Sequence, residues 1–130
     1  MKMDIGTNYT IAQGLAPVSV AAGTDAGATV DHANGPCAVF ILNTGVFASG
    51  ARITMKGQYS EDNSTWTDDD GSSGNDYTTT LTDGSTNDYA TLNVPNPLGR
   101  YSRAYITVAT DAVVCGVINI VGPKKHVAAE

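Results

Sequence analysis

The chain has 130 residues, of which 42% are hydrophobic, and a net charge of -6; this length suits one domain that buries roughly two-thirds of its unfolded surface. No apolar run approaches the roughly 20 residues of a membrane-spanning helix, and the start, Met1-Lys2-Met3-Asp4-Ile5-Gly6, lacks the apolar segment of a signal peptide, so a soluble protein with no membrane partner is expected. The stretch 61–88 holds eight acidic residues and no basic one, against seven Lys/Arg and five acids elsewhere; an acidic insert without a basic stripe argues against a nucleic-acid partner.

Gly, Thr and Ala are plentiful while Leu, Glu and Lys are scarce, the balance of short strands joined by tight turns and not of amphipathic helices. Residues 1–17 show no sustained period and are punctuated by Gly6, Gly14 and Pro17, so they are expected to form an extended N-terminal arm outside the packed sheets. Arms of this kind grip neighbours, which makes Met3, Ile5, Tyr9, Ile11 and Leu15 candidate contacts. A packed domain over 18–123 follows. Val18 and Val20 alternate with small or polar residues, 23–27 reads as a turn, and Ala28-Thr29-Val30 completes a weak edge hairpin.

After Gly35-Pro36, the run Cys37-Ala38-Val39-Phe40-Ile41-Leu42 is apolar on both faces and predicts a doubly buried strand. From Ala51 to Ser60 the sequence alternates with period two, Ile53, Met55 and Tyr59 on one side against Arg52, Lys56 and Gln58 on the other. Glu61-Asp62-Asn63-Ser64 suits a tight turn, with Thr65-Trp66-Thr67 as the returning strand of a hairpin. A polar loop over 68–76, a short strand at 77–82 and another loop at 83–88 lead to a strand from Tyr89 to Val94. The two prolines of Pro95-Asn96-Pro97 forbid regular structure and mark a crossing between sheets or hairpins. Tyr101 to Ala109 and Val113 to Val121 read as two long strands joined as an antiparallel hairpin by Thr110-Asp111-Ala112. Gly122-Pro123 ends the domain, and 124–130 is a short tail whose Lys124 and Lys125 are further candidate contacts. About eight strands at regular spacing predict an all-β antiparallel β-sandwich, jelly-roll or immunoglobulin-like, with an extended N-terminal arm.

The residues offer little catalytic chemistry. His32 and His126 alone are suited to base catalysis near neutrality, neither adjoins a convincing nucleophile, and no nucleophile-elbow signature occurs, so no catalytic residue and no enzyme activity are expected. Asp68-Asp69-Asp70-Gly71 with Asp76 lacks the spacing of an EF-hand loop, and neither a metal nor another cofactor is expected. Cys37 and Cys115 are expected to be reduced, acting as small apolar residues. Trp66, Tyr59, Tyr77, Tyr89, Tyr101 and Tyr105 fit sheet packing or an aromatic sugar platform, and Arg100 and Arg103 fit either a solvated surface or salt bridges to a partner.

Two segments carry a family resemblance. Gly57-Gln58-Tyr59-Ser60-Glu61-Asp62-Asn63-Ser64-Thr65-Trp66-Thr67-Asp68 resembles the strand, Asp-rich turn and Trp return of small structural proteins of tailed bacteriophages. The stretch from Gly99-Arg100-Tyr101-Ser102-Arg103-Ala104-Tyr105 through Gly122-Pro123-Lys124 is similar to the closing strands of the same group. The resemblance implies a head decoration or cement protein, assembled in the host cytoplasm and placed on the exterior of the virion. Such a protein, a dimer or trimer at capsomer junctions, would bridge neighbouring major capsid proteins. The alternative carried by the aromatic and acidic loops is a glycan-binding or adhesion module.

Overall fold

The structure, a computed structural model, describes residues 8–47, 50–69, 78–81, 88–95 and 97–123. The described residues form β1 (Thr10–Val20), β2 (Gly23–Ala26), β3 (Val30–Asp31), β4 (Cys37–Thr44), β5 (Arg52–Ser60), β6 (Thr67–Asp68), β7 (Thr78–Leu81), β8 (Asp88–Val94), β9 (Tyr101–Ala109) and β10 (Val113–Gly122). The first sheet has the order β1-β10-β4-β8; the second runs β2-β9-β5-β6, with β3 also on β9 and β7 also on β5. Each of these pairings is antiparallel. The fold is the expected all-β sandwich.

Period-two alternation makes the core. In the second sheet Ile53 and Met55 of β5 lie opposite Val108 and Ile106 of β9, and in the first Leu42 and Phe40 of β4 lie opposite Val117 and Asn119 of β10. Phe40, Leu42, Ile53, Met55, Ile106 and Val113 are completely buried, each contributing about 1.5–3 kcal/mol through removal of its side chain from water. Gly14 has no room for a Cβ beside Asn119 Oδ1. Asn119 is itself buried, its Nδ2 donating to Ala28 O at 3.3 Å.

Four expectations are corrected. Residues 10–17 do not belong to an arm: they form most of β1, an edge strand paired with β10 from Thr10↔Val121 to Val20↔Val113. Register shifts between Gln13 and Leu15 and between Leu15 and Val18 interrupt its alternation, which hid the strand from a period-two reading. Next, the expected turn at 23–27 holds β2, an exposed edge strand whose Gly23–Ala26 pair with β9. Third, β9 and β10 are not a hairpin, because β9 lies in the second sheet and β10 in the first. Residues 110–112 form an arch between the sheets, with Thr110 at φ 81° and Asp111 N donating to Ala109 O at 3.0 Å. The fourth concerns β4. Ala38, Phe40, Leu42 and Thr44 are buried, whereas Val39 and Ile41 on its other face are only half-buried and Asn43 is exposed.

The crossing expected at Pro95-Asn96-Pro97 does join the sheets, leading from β8 in the first to β9 in the second. Cys37 and Cys115 are free thiols. Cys37 pairs with Gly122 and Cys115 with Thr44, at opposite ends of the β4–β10 ladder, roughly 23 Å apart at strand rise, far beyond disulfide reach.

Candidate binding surface

The register that aligns Ile53 and Met55 with the core aligns Lys56 with Tyr105 and Gln58 with Arg103 on the outer face of the second sheet. The β5–β6 hairpin adds Asp68, opposite Gln58, and brings Trp66 to Arg103. The Arg103 guanidinium sits 4.2 Å from the Trp66 ring centre and 5.7 Å from that of Tyr105. Its Nε donates to Gln58 Oε1 at 2.8 Å. Gln58 Nε2 donates to Asp68 Oδ1 at 3.0 Å, and Lys56 Nζ donates to Asp68 Oδ2 at 2.8 Å while lying 5.3 Å from the Tyr105 ring centre. Six side chains thus hold one another in place.

Electrostatics follow from these contacts. The Lys56 ammonium, then the Gln58 amide, hold the Asp68 carboxyl below its ordinary 3.8. Partial burial pushes the Arg103 guanidinium below its ordinary value. At the end of the same sheet Arg100 grips Asp31 through Nε–Oδ1 at 3.2 Å and Nη2–Oδ2 at 3.1 Å, lowering Asp31 and raising Arg100. The guanidinium also lies 5.1 Å from the Tyr101 ring centre. Beside the β5–β6 turn, Tyr59, Ser60, Glu61, Asp62, Thr65 and Thr67 enclose a shallow depression of about 200 Å³.

The first sheet presents a different chemistry outward. β1, β4 and β10 contain no charged residue, and β8 has only Asp88, its first residue. On its outer face Ile11 lies opposite Ile120 and Ile41 opposite Ile118. Ile11 and Val114 are about half exposed, at 52% and 48%, and Tyr89 is 67% exposed. An open groove of about 430 Å³ lies there, bordered by Gln13, Pro17, Asn43, Gly45, Val114 and Gly116.

The candidate contacts are therefore divided. Tyr9 packs its ring on Gly122 at the end of β10, and Ile11 lies on the outer face of the first sheet. Leu15, expected as a contact, instead turns inward and packs on the core. Arg103 belongs to β9 of the second sheet and Arg100 lies just before that strand; Met3, Ile5, Lys124 and Lys125 lie outside the described residues. Sequence reading missed the roles of Lys56, Gln58 and Asp68. Lys56 and Gln58 stand on the wet side of an alternating strand and Asp68 in its short return, and they converge only once the β5–β9 and β5–β6 registers are known.

His32 Nδ1 faces Gly35 O at 3.0 Å and Nε2 faces Ser102 Oγ at 2.7 Å. A carbonyl accepts only, so the neutral ring carries its proton on Nδ1 and the Ser102 hydroxyl donates to Nε2. Ser102 is buried, and the pair ties β9 to the 3-10 turn His32–Asn34. Asp68 and Asp69 do not converge on an ion: Asp68 meets Lys56 and Gln58, whereas buried Asp69 accepts from Leu98 N at 3.4 Å through Oδ2. Asp70, Gly71 and Asp76 lie outside the described residues. Among the described residues no three His, Cys, Asp or Glu side chains are grouped to hold a metal, and no helix is long and apolar enough to cross a membrane.

No protein-family model matches the chain, and no curated protein matches it. Among solved structures it is similar to the CBM36-1 domain of a multidomain xylanase from the hindgut metagenome of Trinervitermes trinervoides, with 18% identity, a TM-score of 0.49, and coverage of 88% of this chain and 98% of that one. A TM-score below 0.5 does not establish a shared fold.

Proposed function

We propose that the protein is a non-catalytic binding module that decorates the exterior of a bacteriophage head and bridges neighbouring major capsid proteins through the outer face of its second sheet. The observation that carries the reading is the Trp66–Arg103–Tyr105 array braced by Gln58, Asp68 and Lys56. Trp, Tyr and Arg dominate protein–protein hot spots, and side chains already held by one another lose little freedom on docking. Arg100 extends the surface along the sheet. The choice of partner is supported by the resemblance of 57–68 and 99–124 to phage structural proteins. A module that binds only the assembled shell stabilises it by mass action, with no bond made or broken.

The test is cosedimentation with shells stripped of the protein, followed by heating. Stoichiometric rebinding with a raised disruption temperature is expected, and Trp66→Ala or Arg103→Ala should weaken rebinding by about 10- to 100-fold, the range of 1.4–2.7 kcal/mol typical of a hot-spot truncation. Absence of rebinding by the wild-type protein overturns the reading.

A second reading, glycan binding, is favoured by the depression beside Tyr59, which sets an aromatic ring next to Glu61 and Asp62. It predicts saturable sugar binding by the isolated protein, lost in Tyr59→Ala and retained in Arg103→Ala. On the second sheet's open face the Trp66 ring is already stacked by Arg103, which makes that face a poorer sugar platform.

A further inference from the structure

We infer that the outer face of the second sheet recognises an acidic segment of its protein partner, with Arg103 as the receptor for one of that segment's carboxylates. The inference rests on the reading that this face docks on the shell, and it names the chemistry that the docked surface must offer.

Charge selects the occupant. The carboxylates on this face are Asp68, opposite Gln58, and Asp31, opposite Tyr101. Both are already matched, Asp68 by Lys56 at 2.8 Å and Asp31 by Arg100 at 3.1 Å. Arg52 and Arg103 have no carboxylate partner among the described residues. The face is therefore left positive on a chain whose net charge is -6, a local excess that favours an anionic surface over a neutral or cationic one.

Of the two unmatched cations, Arg103 is the one prepared for a ligand. Trp66, Tyr105 and the Gln58 side-chain carbonyl hold its guanidinium through the ring contacts and Nε, while Nη1 and Nη2 have no acceptor among the described residues. A carboxylate offers two coplanar oxygens at the spacing of that fork and engages it with parallel hydrogen bonds. Partial burial adds to the preference, because it disfavours a guanidinium charge that no anion offsets. A phosphate polymer is a poorer occupant, since its affinity grows with the number of phosphates that cations neutralise. Arg52 lies opposite Ala109 and Arg103 opposite Gln58, roughly 20 Å apart at strand rise, and two cations so separated neutralise few phosphates.

Trp66 is the single tryptophan of the chain and lies on Arg103, so its fluorescence reads the site in the isolated full chain. Titration with poly-L-glutamate at fixed ionic strength should give a saturable change. Arg103→Lys keeps the charge but loses the fork and should raise the midpoint about tenfold, the loss of a hydrogen bond to a charged group; Arg103→Gln should abolish saturation. Asp68→Asn removes the carboxylate that matches Lys56 and should lower the midpoint roughly two- to fivefold, whereas damage to the array would raise it. Far-UV circular dichroism verifies folding, and Arg103→Lys with Asp68→Asn decides if Arg103→Gln misfolds. Absence of saturation by the wild-type protein overturns the inference, as does saturation that survives Arg103→Gln, a midpoint raised by Asp68→Asn, or an equal response to polyphosphate of matched charge. Shell rebinding separates the two proposals: rebinding through Arg103 without a response to poly-L-glutamate removes the carboxylate and keeps the docking, and a response without rebinding does the reverse.

Discussion

Asp62 organises the β5–β6 turn almost alone. One of its carboxylate oxygens accepts from Ser64 N, Thr65 N and Ser60 Oγ at 2.8–2.9 Å, and these bonds hold its pKa far below the ordinary value. Asp31 and Asp68 are lowered as well, chiefly by Arg100 and Lys56. A carboxyl whose folded pKa lies below its unfolded 3.8 adds stability that is present above that value and is lost as pH falls through the folded one. The urea midpoint should therefore hardly change from about pH 7 to pH 5 and fall below about pH 4, with a smaller fall in Asp68→Asn. At position 14 the constraint is steric. Gly14→Ala drives a methyl into the buried Asn119 side chain, and a loss of about 1–3 kcal/mol in chemical denaturation is expected.

Strands were legible in the sequence where alternation was strong, and their partners were not. The expected extent of β9 agrees with the structure, and β10 runs one residue further, because inward Ala104, Ile106 and Val108 and inward Val113, Cys115 and Val117 each mark a buried face. Burial does not say which strand lies alongside. Three linking residues serve a hairpin or an arch equally, and only the joint core of both sheets decides. β2 was unreadable for a different reason: its Gly-Thr-Asp-Ala sequence takes its order from β9, with no buried face of its own beyond a partly covered Ala26. The binding array shows the same division. Trp66, Tyr105 and Arg103 were recognisable as residue types, whereas their bracing by Gln58 and Asp68 depends on register. The arch allows a separate test. Thr110, β-branched at φ 81°, is strained, and Thr110→Gly should raise the unfolding free energy by up to about 1 kcal/mol, readable from the urea midpoint.

The whole molecule is a two-faced sandwich, with charged side chains and the Trp66–Arg103–Tyr105 array on one outer surface and mainly uncharged, aliphatic side chains on the other. Its thiols lie at opposite ends of one ladder, so adding a reductant should leave the thermal midpoint unchanged. β10 lies between β1 and β4, and the pair Thr10↔Val121 joins residues more than 100 positions apart. During synthesis, β1 and β4 therefore have exposed apolar edges until almost the whole domain has left the ribosome. Closure of the first sheet is a late, long-range event of the kind that makes β-sandwiches fold in milliseconds to seconds, and a chain stalled before residue 113 would present two unsatisfied strand edges to its neighbours.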